Sequence, residues 1–477
     1  MPGIDLPVLL DGRRMNRFQW TVVVLCALVL FLDGFDTQAI SYAAPLIAWE
    51  WHLSRASLGP IFSAALAGLM VGYLAIAPLS DRFGPKRLIV ASTALFGALT
   101  LLTVCAHTVP QLIALRFLTG LWLGAAAPGA VALTGEYSPQ RLRATFVLLI
   151  YCGFSLGFVA AGALAAPLLH AYGWRSLFWA GALLPLLLCP ILLHALPESL
   201  DFLLRRAAPA ERIAPVLRRL ELTLPSPAHG ETIAAPVVGV LGLLRGGYAS
   251  GTLLLWVIFA INLGAFYLLQ SWLPTLLMGL HRSLDVVASA TTLSTVGGIV
   301  AAFVVGPAMD RFGASIALAV LYAAGAIVVG LLGPALPANL WVLLVASFGA
   351  GFCISGGQKS AIAMATVFYP ASLRSTGVGW ALGVGRTGGI AGPLLAGFLL
   401  NAGWTPNRLF GVVALAMLLT AAATVALGRV RRSISVSGAP ASGSEIYSPL
   451  VQRFHETTPV TRSHRSCRSR CEQQVRR

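Results

Sequence analysis

Pro78-Leu79-Ser80-Asp81-Arg82-Phe83-Gly84 returns 229 residues later as Pro307-Ala308-Met309-Asp310-Arg311-Phe312-Gly313. A second stretch behaves the same way. Tyr137-Ser138-Pro139-Gln140-Arg141-Leu142-Arg143-Ala144-Thr145 returns as Tyr369-Pro370-Ala371-Ser372-Leu373-Arg374-Ser375-Thr376, at an offset near 231. One Asp-Arg-x-Gly alone would carry little weight. Two different motifs repeated at nearly one offset point to an internal duplication. Two copies in the same orientation are the plan of a rocking transporter with its site between the halves.

Around these motifs lie twelve runs of about 20 apolar residues, each long enough to cross a bilayer as a helix. They cover 18–40, 57–79, 88–106, 110–134, 144–168 and 174–196, then 251–273, 285–308, 315–333, 338–364, 373–399 and 404–428. The expected fold is an all-α membrane protein of two pseudo-symmetric six-helix bundles, 18–196 and 251–428. A polar segment, 1–17, precedes them and a cytoplasmic loop, 197–250, joins them. The tail 429–477 is rich in Ser and Arg and poor in apolar residues, a composition that predicts disorder. Of the 477 residues, 57% are hydrophobic and only 10% charged, against about 25% charged in soluble domains.

The net charge of +16 does not indicate nucleic acid, because the basic residues sit in short loops and the tail, not in a stripe interleaved with aromatics. They report topology instead. With the N-terminus inside, nineteen Lys and Arg near helix ends face the cytoplasm, and four (Arg55, Arg175, Arg282, Arg408) face out. Both termini and the central loop are thus expected in the cytoplasm of a cell whose inner membrane holds the chain. The first apolar run is too long for a signal-peptide core and reads as an uncleaved anchor. Cys26, Cys105, Cys152, Cys189 and Cys353 lie in apolar runs as small hydrophobes. Cys467 and Cys471 have no His or further Cys beside them, so no metal site is expected. His107 and His170 are lone loop residues and no nucleophile–base pair is evident. Neither an enzyme nor a cofactor is expected.

Five charges lie deep in the spans: Asp33, Asp36, Arg116, Lys359 and Arg386. Such a residue costs about 2.5–3.5 kcal/mol at mid-bilayer on insertion scales, so it marks a polar interior. Asp33 and Asp36, in Phe31-Leu32-Asp33-Gly34-Phe35-Asp36-Thr37-Gln38, share a helix face through their i, i+3 spacing. The repeat carries Asp33 onto Asn262 or Leu263, and Arg386 back onto Ser155. The deep acids therefore belong to the first half alone, and Lys359 and Arg386 to the second alone. That is the distribution of charges that handle a ligand between halves. Asp33, then Asp36, are the candidate proton carriers, since a desolvated carboxylate holds a proton that a nearby cation or water path releases. Arg386, flanked by Gly383, Gly385, Gly388 and Gly389, offers a fork that fits a substrate carboxylate; the alternative is a permanent pair with an acid across the halves. Arg116 either pairs with Asp33 and tunes its proton affinity or forms a structural clamp. Lys359 is either a second anion contact or a side chain that snorkels inward. Gln38, Phe266, Tyr267, Gln270 and Trp380 complete the candidate substrate set. At the cytoplasmic ends, Asp81, Arg82, Gly84, Lys86, Arg87, Glu136, Arg143, Asp310, Arg311 and Arg374, with Arg141, form a candidate latch that breaks and remakes as the halves rock; ordinary positive-inside loops account for Lys86 and Arg87 but not for Asp81 and Asp310.

Over residues 15–430 the chain resembles the major facilitator superfamily. Asp81-Arg82-x-Gly84-x-Lys86-Arg87 is similar to that superfamily's loop 2–3 motif, with Ala77 and Ser80 in place of its usual Gly and Ala. Within it, Asp33-Gly34-Phe35-Asp36, Arg116-Phe117-Leu118-Thr119-Gly120, Leu196-Pro197-Glu198-Ser199-Leu200 and Thr376-Gly377-Val378-Gly379-Trp380 with Gly385-Arg386 resemble the aromatic acid:proton symporters, which include 4-hydroxybenzoate and protocatechuate permeases. The resemblance implies a monomeric importer of an aromatic carboxylate together with a proton. Gly357-Gln358-Lys359-Ser360-Ala361 departs from the pattern by lacking an Asn after the Gln, which bears on substrate identity. A drug exporter of the same fold is the alternative, yet span 5 reads Cys152-Gly153-Phe154-Ser155-Leu156-Gly157 without that group's Gly-Pro-x-x-Gly-Gly. A sugar porter would share Pro197-Glu198-Ser199, but the deep Arg386 and Lys359 favour an anion.

Overall fold

In the computed structural model the described residues are 10, 14–206, 208–221, 243–244, 248–369 and 371–437. Twelve long helices carry the chain back and forth. They are α1 Arg17–Glu50, α2 Arg55–Val71 with its continuation to Phe83, α3 Pro85–Thr103, α4 Val109–Tyr137, α5 Arg143–Tyr172 and α6 Arg175–Ala195. The second six are α7 Ala249–Gly279, α8 Leu284–Phe312, α9 Ala314–Ala335, α10 Leu340–Phe368, α11 Ala371–Asn401 and α12 Pro406–Ser437. Two short helices, Leu200–Arg205 and Ala210–Arg219, lie between α6 and α7. The rest of the central segment, 222–242, and the expected basic tail from 438 onward lie outside the described residues. The compact unit is Met1–Val430, and a second unit, Arg431–Arg477, follows it.

Helices are the required form here. Within lipid every backbone N–H and C=O must be satisfied by the protein itself, and a helix does this within a single segment. Eleven helices are long and apolar enough to cross a membrane; α11 is equally long but holds Arg386 among its glycines. Exposed Phe303, Val345 and Phe398 cover the outer faces, so this is a multi-pass membrane protein. Polar residues start the helices at their ends. Asn16 accepts from the Gln19 backbone N–H while Gln19 bonds back to Asn16, and Thr108 and Asn339 cap α4 and α10.

The duplication is visible in the packing. In the first half α1 packs on α5, α2 on α4, and α3 on α4; in the second, α7 packs on α11, α8 on α10, and α9 on α10. Close approach depends on absent side chains: a Cβ on Gly34 would strike the Phe154 backbone, and one on Gly388 the Ala260 backbone. Both copies of the opening motif turn on a glycine with positive φ, 92° at Gly84 and 88° at Gly313, which only glycine adopts freely. In both copies, too, an arginine caps the ring that follows it, Arg82 over Phe83 and Arg311 over Phe312.

The halves meet along α2–α11, α5–α8 and α1–α7. Let the proximal end be the one where α1 begins and the distal end its opposite. The distal seam is drawn together by the Ser63 hydroxyl donating to the Ile390 carbonyl at 2.8 Å, and by Phe62 edge-on to Trp272 at 5.4 Å. Gly59 and Gly397 let α2 and α11 cross there in backbone contact.

Candidate functional site

Arg386 is the centre of a cluster built from both halves. Its Nη1 donates to the Tyr267 hydroxyl of α7 at 2.9 Å, and its Nη2 to the Tyr73 hydroxyl of α2 at 3.4 Å. Its Cζ also stands 5.3 Å from the centre of the Tyr73 ring, within cation–π range. Asp33 and Tyr151 are within electrostatic reach of the guanidinium. Asp33 is buried and receives one side-chain hydrogen bond, from the Thr37 hydroxyl at 3.4 Å. It forms no ion pair with Arg386 at 4.0 Å or less. A carboxylate and a guanidinium thus sit across the interface, coupled but not clamped. Next to Tyr267 along α7, the Phe266 ring lies 6.0 Å from the ring of Phe158 of the first half, tilted 40° to it. Gln38 of α1 donates to the Gln270 backbone carbonyl at 3.4 Å, and Gln270 reaches Ser294 at 3.4 Å. A basic fork, an acid, phenols, phenyl rings and amides therefore gather in one cluster between the halves, near the middle of their helices.

Asp36 belongs to a different construction. Arg116 pairs with Asp36, not with Asp33: Nη1 reaches Oδ2 at 3.0 Å, and the side chains are 0% and 1% exposed. Thr100 donates to Asp36 at 2.8 Å, and Arg116 also reaches Thr103 and Thr119. The Phe178 ring lies 5.1 Å from the guanidinium carbon. This sealed clamp ties α1, α3, α4 and α6 together inside one half.

Lys359 is apart from Arg386's ring of phenols. Its Nζ donates to the Gly298 carbonyl of α8 at 3.0 Å, and the residue that couples to it across the halves is Cys152. Trp380 is not gathered into the cluster. Six residues at 100° each separate it from Arg386 by about 240° around the helix. Full turns of that helix bring it onto the face of Phe398, 69% exposed, and beside Trp256 at 6.2 Å. That outer apolar face is the reason it does not join the cluster.

At the proximal end neither Asp81 nor Asp310 forms an ion pair with a described residue. The side chains of Arg141, Arg143 and Arg374 lie outside the described residues. Among the described residues this end is held by a docked loop. Glu198 accepts from the Lys86 backbone N–H at 3.0 Å and from Ser199 N–H at 3.1 Å, while Tyr137 donates to its carbonyl at 2.6 Å. Glu136 accepts from the Asp201 N–H at 3.0 Å, and Arg206 donates to the Arg82 carbonyl at 3.1 Å. The segment after α6 thereby fastens the opening motif to its own half. Burial pushes the Glu198 carboxyl above the ordinary carboxylate range, against the Lys86 and Ser199 N–H groups and the charges of Arg87 and Lys86.

Tyr73, Tyr151, Phe158 and Glu198 are residues that sequence reasoning did not assign to the site. Among the described residues no group of three or more His, Cys, Asp or Glu could hold a metal ion.

A duplicated twelve-helix membrane bundle with opposed charges between its halves is the architecture of a secondary transporter. The Major Facilitator Superfamily model matches residues 26–283 and 255–463. The chain belongs to that superfamily. It is 39% identical over 433 residues to the 4-hydroxybenzoate transporter PcaK of Pseudomonas aeruginosa, covering 90% of this chain and 96% of the relative. It is 38% identical to the gallate transporter of Pseudomonas putida, with 90% and 97% covered. Among solved structures, the inward open xylose transporter XylE of E. coli superposes with a TM-score of 0.67 at 18% identity, covering 88% of this chain and 99% of that one. That likeness describes the fold alone.

Proposed function

We propose that the protein imports an aromatic carboxylate of the 4-hydroxybenzoate, protocatechuate or benzoate class together with a proton, by alternating access of bundles 18–196 and 251–428 about the mid-depth chamber. The observation that carries this reading is Arg386 held on two phenols opposite an unclamped Asp33 of the other half. Relatives whose names specify 4-hydroxybenzoate, gallate and 3-(3-hydroxy-phenyl)propionate support the substrate class.

The mechanism follows from competition for one cation. Without substrate, Arg386 is the counter-charge of ionised Asp33. A substrate carboxylate takes the guanidinium, and Asp33, now facing a second negative charge and no free cation, binds a proton. Both travel as the halves rock, and release toward the lower proton concentration restores the Asp33–Arg386 attraction. Phe158 and Phe266 flank the ring, with Gln38 and Gln270 beside it. Lys359, on the proximal half of α10, draws the anion along the path. With Asp36 held by Arg116, Asp33 is, among the described residues of the cluster, the carboxylate without an ion pair, so one proton accompanies one monoanion. That exchange moves no net charge and is driven by the pH gradient, not by the potential worth about 2.3 kcal/mol per charge per 100 mV. The distal seam is the closed gate. At the proximal, cytoplasmic end, Asp81, Arg82, Gly84, Lys86, Arg87, Glu136, Arg143, Asp310, Arg311 and Arg374 act on the other gate. The protein works as a monomer in the inner membrane with both termini cytoplasmic, as the excess of inward Lys and Arg supports.

Proteoliposomes loaded at higher pH than their bath provide the test. They accumulate labelled 4-hydroxybenzoate, a valinomycin-clamped potential leaves the rate unchanged, and aliphatic acids do not compete. Exit of cationic dyes with no acid uptake would overturn the reading.

A further inference from the structure

The duplication exposes a feature that packing does not require. Within α2, residues Gly72–Ile76 form a π-helical turn, whereas α8, its copy, is continuous from Leu284 to Phe312. Such turns are rare and gather at functional sites because the extra residue re-aims the side chains beside it. The side chain re-aimed here is Tyr73. The offset of 229 that relates Pro78 to Pro307 carries it onto Ala302, which has no phenol. Tyr73 is thus an addition to the first half, and its hydroxyl receives a hydrogen bond from Arg386 of the second.

Its chemistry is fixed by that bond. A guanidinium only donates, so the Tyr73 and Tyr267 oxygens act as acceptors toward it, and each phenol keeps its own O–H to give elsewhere. Two of Arg386's five N–H donors are engaged by described residues. The Tyr73 ring face against Cζ further holds the plane of the fork. Tyr73 is also within electrostatic reach of Asp33.

We propose that Tyr73 is a specificity-determining residue of the carboxylate site, orienting the Arg386 fork from the opposite half and donating its O–H to the substrate's carboxylate. This rests on the functional reading above. It adds a residue that discriminates an ionised acid from a neutral analogue of the same shape, because only the ionised acid satisfies both fork and phenol.

Tyr73→Phe keeps the ring face and removes the hydroxyl, so it separates this role from packing. Purified wild-type and variant proteins are titrated with 4-hydroxybenzoate and with its neutral methyl ester, and uptake kinetics are measured in proteoliposomes. The expected result is a Kd and KM for the acid raised about 10-fold, the loss of one charge-assisted hydrogen bond. Vmax stays within about twofold, ester binding is unchanged, and the acid-to-ester preference falls by the same factor. Tyr73→Leu, which also removes the ring face, raises KM further. An unchanged acid Kd in Tyr73→Phe would overturn the inference, as would an equal weakening of acid and ester accompanied by a lowered melting temperature. A wild-type protein that binds no aromatic acid would instead overturn the functional reading.

Discussion

The Asp36–Arg116 clamp can be removed one charge at a time. Both side chains are sealed, at 1% and 0% exposure. Arg116→Leu leaves Asp36 with the Thr100 hydroxyl as its side-chain donor, and Asp36→Leu leaves a guanidinium facing Thr103 and Thr119. Stranding one charge of a buried pair costs about 3–5 kcal/mol, whereas replacing both partners by apolar groups of similar volume is near neutral. Each single variant should therefore lose about 3–5 kcal/mol in reversible SDS unfolding in mixed micelles. The double variant Asp36→Leu/Arg116→Met should lose less than about 2 kcal/mol. Because the clamp handles no proton in this scheme, the folded double variant should still show uptake driven by the pH gradient. Strictly additive losses would refute the clamp. A stable double variant that exchanges substrate but no longer responds to the gradient would make Asp36, not Asp33, the proton carrier.

Asp33→Asn should abolish accumulation against a gradient while leaving counterflow exchange within a few-fold of wild type, measured with labelled 4-hydroxybenzoate; retained accumulation would exclude Asp33. Arg386→Lys keeps the charge but loses the planar fork seated on Tyr73 and Tyr267, so KM should rise at least about 10-fold. Gly84→Ala forces φ 92° on a residue with a Cβ that would stand 2.5 Å from Glu198 Oε2. It should cost about 1–3 kcal/mol in unfolding and expose the Glu198 segment to proteolysis. The raised Glu198 carboxyl means that the folded protein binds this proton more tightly than the unfolded chain. Stability should therefore increase as pH falls from neutral through its folded value and level off below about 4.3, and Glu198→Gln should lack that increment.

Much of this was legible in the chain. The Asp-Arg-Phe-Gly repeat and the lengths of the apolar runs indicated twelve helices in two copies, because continuous apolar runs of about 20 residues fit a spanning helix and not a barrel strand. Asp33 and Arg386 stood out because ionised groups at that depth need a polar interior. The partner of Arg116 could have been reached by counting depth. At 1.5 Å per residue Arg116 lies about 10 Å from the distal start of α4, while Asp36 and Asp33 lie about 21 and 26 Å from the distal end of α1. Asp36 is the nearer acid. Trp380 could have been set aside in the same way, by its angle from Arg386. Tyr73 and Tyr151 were hidden for a better reason: a tyrosine in an apolar run reads the same whether it faces lipid or a chamber, and no residue pattern announces a π-helical turn. Glu198 was visible in its motif, but its partner is a backbone N–H at Lys86, and backbone groups leave no trace in side-chain spacing.

What remains is why a duplicated scaffold carries an unduplicated site. Equivalent pairs, α2 on α11 and α8 on α5, give the two halves matching surfaces to roll on. Such symmetry supplies two ways of closing and no preference between them. The preference has to come from groups present on one side alone. Asp33 and Tyr73 in the first half and Arg386 and Tyr267 in the second form that set, and each lacks its counterpart at the repeat offset: Asn262 or Leu263, Ala302, Ser155 and Gln38 stand there instead. A ligand shifts a two-state equilibrium only by its differential interaction with the states. In the proposed scheme the difference is whether one guanidinium faces an ionised acid alone or a carboxylate beside a protonated one. The polar bonds across the distal side are neutral ones, Ser63 to the Ile390 carbonyl at 2.8 Å and Gln38 to the Gln270 carbonyl at 3.4 Å. A neutral hydrogen bond is worth only about 0.5–1.5 kcal/mol net, so in the proposed scheme the reassignment of one buried charge at the centre is the larger of the polar contributions to closing.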